Sequence, residues 1–164
     1  MADFTLNFPR REVEFSITAT RLGIDNTIPD SQLEAWGVGC EYLEAIRKFA
    51  GNFPIKITSG YRCLALNSKV GGSSKTSQHT GTWRGLHCCA FDLVLSPEHG
   101  GNAALFKVIA ERVRSKRFDC DQLIWEYGND SEPAWVHVGL VFGHPMRGQI
   151  LRKRNGSTKY EVLS

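Results

Sequence analysis

The sequence predicts an α+β fold, a small and mainly antiparallel sheet backed by helices, and three observations carry that expectation. Two stretches place apolar residues at helical spacing, and four short apolar runs have the length of strands. These segments alternate without the regularity of a doubly wound sheet. The third observation is size: 164 residues, 41% hydrophobic and 23% charged, suit one domain around one core. Residues 1–164 are read as a single domain in which 1–15 form an N-terminal arm.

Each element follows from local chemistry. Ser31 to Glu34 has capping-box spacing, and Leu33, Trp36, Cys40, Leu43 and Ile46 then recur at helical intervals until Gly51. Gly37 and Gly39 weaken this first long helix. Phe53-Pro54 opens a short strand over 55–58 that ends at Ser59-Gly60, and Gly71 to Ser74 reads as a flexible turn. A buried strand is expected over 89–95. Gly101 starts a second helix with Leu105, Val108, Ile109 and Val113 on its apolar face. Two more strands, 122–126 and 135–141, are separated by the polar loop 128–131.

Composition excludes several classes of function. The net charge is +3, and the basic residues fall in two runs, Arg112 to Arg117 and Arg147 to Arg154. These read as a solvated helix end and a solvated tail, so nucleic acid is not an expected partner. No segment approaches the roughly 18 apolar residues of a membrane span, and no export signal is recognisable, so neither a membrane nor a secretory route is expected. Five cysteines, an odd number without CxxC spacing, point to buried reduced thiols rather than disulfides or a zinc knuckle. A monomer is expected.

Within this frame Asp92 interrupts the apolar strand AFDLVL and His137 interrupts WVHVGL. A carboxylate and an imidazole at such positions need partners to offset desolvation, and a shared metal ion supplies one. A further histidine would complete a set that leaves zinc an open position, and both His79 and His87 are available. Zinc hydrolysis also needs a base to carry the proton to the leaving amine; Glu126, ending the strand before that of His137, is the candidate, with Glu132 the fallback. Arg62, in SGYRC, suits a substrate carboxylate or a developing oxyanion. A deaminase is excluded, because His87-Cys88-Cys89 lacks the H-x-E and PCxxC pattern that chemistry requires.

The stretches SGYRCLALNSKVGGSSKTSQH, AFDLVL, DQLIWEYG and EPAWVHVGL together resemble the zinc D-Ala-D-Ala carboxypeptidases of peptidase family M15, especially the small bacterial and bacteriophage branch. The likeness extends over about 16–163. It implies the fold shared with the hedgehog signalling domain, a zinc cofactor, and the ligands His79, Asp92 and His137. It also supports Glu126 as the base. It further implies a substrate among the stem peptides or crosslinks of peptidoglycan, cut by a carboxypeptidase or an endolysin-type endopeptidase. Such an enzyme works from the producing cell or from a virion.

The sequence departs from the family pattern HxxGxAxD at the site. His79 and Asp92 are thirteen residues apart instead of seven, and Cys88 replaces the glycine before Ala90. The 80–87 insertion is therefore expected as a loop from Thr80 to Leu86 at the cleft rim, with Trp83 and Arg84 against glycan or peptide; the alternative is that Trp83 packs over the core and His87 only hydrogen-bonds nearby backbone. His87 is not expected to be a ligand: its five-residue separation from Asp92 spans about 17 Å in an extended strand. The alternative to an enzyme is a degenerate relative kept as a wall-binding or virion structural module.

Overall fold

A computed structural model describes residues 3–73 and 76–163. Five helices and seven strands follow in chain order: α1 Arg10–Glu14, α2 Ile17–Leu22, α3 Leu33–Phe49, β1 Ile55–Ser59, α4 Leu64–Lys69, β2 Thr82–Trp83, β3 Leu86–Leu95, α5 Gly101–Arg114, β4 Gln122–Glu126, β5 Trp135–Val141, β6 Gln149–Lys153 and β7 Tyr160–Val162. The strands form one open sheet in the order β1-β3-β5-β4-β6-β7, with β2 paired to β3. Every pairing is antiparallel except β4 with β6. The fold is α+β with a mainly antiparallel sheet, as the patterning predicts.

Alternation along the strands divides the sheet into a core face and a working face. Phe91, Leu93, Leu123, Val136, Val138 and Leu140 are fully buried in one cluster with Trp36, Leu43 and Ile46 of α3 and Leu105 and Ile109 of α5. Burying each such side chain contributes about 1.5–3 kcal/mol. The opposite face carries Asp92, Glu126 and His137.

Gly39 does not act as a weak point in α3. A Cβ there would lie 2.5 Å from the Cys89 sulfur and 3.1 Å from the Phe91 ring, so the missing side chain lets the helix rest directly on β3. The capping box is not formed. Ser31 lies in a 3-10 turn, Asp30–Gln32, whose carbonyls accept the first helical N–H groups instead, as in Leu33 N–H to Asp30 O.

The first fifteen residues are built into the domain. Phe8 and Val13 are fully buried in the core, and Glu12 accepts a hydrogen bond from Ile57 N at 3.1 Å on β1, the first strand in the sheet order. Helices α1, α2 and α4 and strands β6 and β7 lack clear periodicity, being short or mixed in polarity. The turn expected over 71–74 is described only to Ser73; Ser74 lies outside the described residues.

The insertion is a hairpin rather than a loop. Thr82 pairs with His87 and Trp83 with Leu86, around Arg84 and Gly85 at φ +52° and +79°. Two consecutive left-handed residues make the tight turn whose twist suits flanking strands. Strand β3 consequently begins three residues before the expected 89. All five cysteines are free, and all but Cys63 are buried. No helix among the described residues is long and apolar enough to cross a membrane.

Candidate metal centre

Three segments deliver the site. Asp92 and His137 face each other across the β3–β5 ladder. His79 comes from a 3-10 turn, Gln78–Thr80, closed by Gly81 at φ +79°. This turn is tied down at both ends of the histidine: Arg62 N donates to His79 O at 2.9 Å, and His79 Nδ1 donates to Gly60 O at 2.7 Å. A Cβ at Gly60 would come within 2.5 Å of Val13 O, so α1 packs against the backbone that holds His79.

The three side chains converge. His137 Nδ1 lies 2.9 Å from Asp92 Oδ1, and His79 Nε2 lies 3.4 Å from the same oxygen. Their potential ligand atoms all lie within 4.8 Å of one another, and all three residues are buried. His87 is exposed, on the hairpin, outside this group. Arg62 donates Nη2–H to Asp92 Oδ2 and Nε–H to Ser59 Oγ, both at 2.8 Å. Its visible partner is thus Asp92 rather than open cleft.

Burial would raise the Asp92 carboxyl, but the charges and hydrogen bonds of His79 and His137 hold it far below the usual carboxylate range. Burial lowers His79, with Asp92 only partly offsetting it. His137 is buried too, but its closer hydrogen bond to Asp92, with the added charge of Glu126, raises it. An ionised carboxylate between two imidazoles is a donor set suited to a divalent metal.

Glu126 ends β4 opposite Trp135, which donates Nε1–H to its Oε2 at 2.6 Å. Burial raises the Glu126 carboxyl above its ordinary value; His137 and the Trp135 hydrogen bond pull it down, and Asp92 pushes it up. Glu132 lies elsewhere in function: its carboxylate accepts Asn102 N at 2.6 Å and Ala103 N at 3.2 Å, at the start of α5.

A cleft of about 670 Å³ joins His79, Asp92, His137, Glu126 and Arg62. Trp83 and Arg84 do not line it; the guanidinium groups of Arg84 and Arg147 lie over the Trp83 ring, 4.7 and 4.9 Å from its centroid. Cleft residues that sequence reading missed include Phe15, Ile17, Tyr127 and Tyr160. Phe15 and Ile17 are 64% and 69% exposed, and two bare apolar residues before a short helix were the available signal.

The fold and this site define a peptidase-type cleft with a metal-competent floor. A family model described as Peptidase M15 matches residues 6–138, and the chain belongs to that family of zinc peptidases. No curated protein matches the sequence. The buried two-histidine, one-carboxylate set fits the family's metal in donor chemistry and in number.

Proposed function

We propose that this protein is a zinc-dependent peptidase that hydrolyses peptide bonds of bacterial peptidoglycan, reaching the wall from the producing cell or from a virion. The observation that carries the reading is the convergence of His79, Asp92 and His137 with half-buried Glu126 in one cleft. His79, Asp92 and His137 would hold the ion, which when bound supplies Lewis acidity toward a peptide carbonyl and toward water.

The chain's own groups account for the remaining chemistry. Glu126 is the general base: burial and Asp92 raise its proton affinity, while the Trp135 hydrogen bond fixes the carboxylate and limits that rise. Having taken a proton, the same carboxyl is placed to pass it to the leaving amine. Arg62 fixes Asp92 through Oδ2 and leaves Oδ1 directed toward both histidines. Phe15, Ile17, Tyr127 and Tyr160, all lining the cleft, offer apolar and aromatic surface for alanine methyl groups and neighbouring sugar.

Mass spectrometry of purified peptidoglycan digested with and without chelator tests the reading. New termini at stem-peptide or crosslink bonds, abolished by chelator and restored by zinc, are expected. Zinc binding without cleavage would favour the wall-binding alternative, and cleavage unaffected by chelator would overturn the metal assignment.

A further inference from the structure

We propose that Gln78 is a positioning residue for the metal centre: once a cation is bound, its Oε1 accepts a hydrogen bond from His137 Nε2–H, and Asp121, clamped by Arg147, holds the amide in the required orientation. This rests on the zinc reading above and extends it beyond the three ligands.

The amide's orientation follows from its neighbours. Gln78 is 3% exposed and its Nε2 donates to Asp121 Oδ2 at 2.6 Å. Asp121 is 1% exposed and its Oδ1 accepts Arg147 Nε–H at 2.9 Å and Arg147 N–H at 3.2 Å, while Arg147 Nη2 donates to Oδ2. An ionised carboxylate only accepts, so the Gln78 NH₂ must face Asp121 and Oε1 must face the other way. That oxygen is buried and has no hydrogen-bond partner. Such an atom calls for an explanation.

Gly139 locates the partner. A Cβ built there would overlap Gln78 Oε1 and lie 3.4 Å from His137 Nε2, so both atoms border the same gap on the working face of β5. The other imidazole nitrogen, Nδ1, faces Asp92. With Nδ1 turned to Asp92, His137 Nε2 and Gln78 Oε1 border this gap without forming a hydrogen bond. When Nδ1 gives its lone pair to a cation, the proton resides on Nε2, and Oε1 is the buried acceptor that borders the same gap. Substrate is excluded as the donor, because Oε1 is closed to solvent.

The supporting chain continues outward. Arg147, bound to Asp121, also stacks on Trp83, so the inserted hairpin braces the clamp without lining the cleft.

The test is zinc affinity of the full-length protein, measured by chelator competition, with the thermal melt of the metal-free form beside it. Gln78→Leu keeps the volume and removes the acceptor; a 10- to 100-fold weaker zinc affinity is expected in a protein that still melts cooperatively. Affinity within about twofold of the unmodified protein would overturn the proposal. Should Gln78→Leu not fold, ¹⁵N NMR of the histidines in the zinc-loaded unmodified protein decides. A slowly exchanging Nε2–H on His137 supports the assignment, and an Nδ1–H tautomer sinks it. Absence of zinc binding by the unmodified protein would instead overturn the metal reading itself, and this assignment with it.

Discussion

At the scale of single residues, the site separates holding a metal from moving a proton. Asp92→Ala and His137→Ala should each release zinc and lower stability, because each strands a buried partner; metal analysis of the purified variants checks this. His79→Ala should behave alike, whereas His87→Ala, at an exposed position, should keep full occupancy. Glu126→Gln keeps shape but cannot accept a proton, so zinc should stay while turnover falls about a hundredfold or more. The pH profile follows from the same carboxyl. The base works only when ionised, so activity should fall on the acid side as Glu126 takes up a proton, a step that burial moves to higher pH and the charge of a bound ion moves to lower pH. Trp135→Phe removes a hydrogen bond that favours the charged form, so that acid limb should move to higher pH. A limb that stays put would take Trp135 out of this role. Asp92 and His137 were legible because charge inside an apolar strand has few explanations. The Arg62 pairing with Asp92 was not legible, since an arginine after a strand advertises no particular carboxylate.

Elements supply the next level of cause. The carboxylate of Glu132 sits on the first N–H groups of α5, so Glu132→Ala should cost about 1 kcal/mol of stability and leave zinc bound, read by denaturant melts and metal content. Gly39→Ala drives a methyl group into Cys89 and Phe91, and should cost about 1–3 kcal/mol. The Asp121 clamp adds a pH signature. Burial raises the Asp121 carboxyl, but the hydrogen bonds from Arg147 and Gln78 outweigh it, and its proton affinity falls below the unfolded value. Its stabilisation is therefore complete above the unfolded carboxylate value near pH 4, and is lost as pH falls through the folded value. Asp121→Asn should flatten that acid limb of the stability curve. Long elements were legible, since periodicity over α3, α5, β4 and β5 leaves one reading. The hairpin was not: Thr82-Trp83 is too short to show alternation, and Arg84 gives no hint of a left-handed backbone.

Across the whole molecule, chain order and site geometry run at different scales. The first fifteen residues read as an arm because they hold no long apolar segment, yet Phe8 and Val13 close the core and α1 backs the turn of His79. Packing between distant segments has no local signal, and that is where sequence reading stopped. The placement of the three candidate ligands has a kinetic consequence. Asp92 and His137 sit on paired inner strands, while His79 sits on a short turn joined to its surroundings by few backbone bonds. Amide hydrogen exchange should therefore find the slowest protons on β3 and β5, and a separate, lower-energy opening of the turn around residue 79. An ion held here would depart by that opening, one ligand at a time, with the sheet still folded.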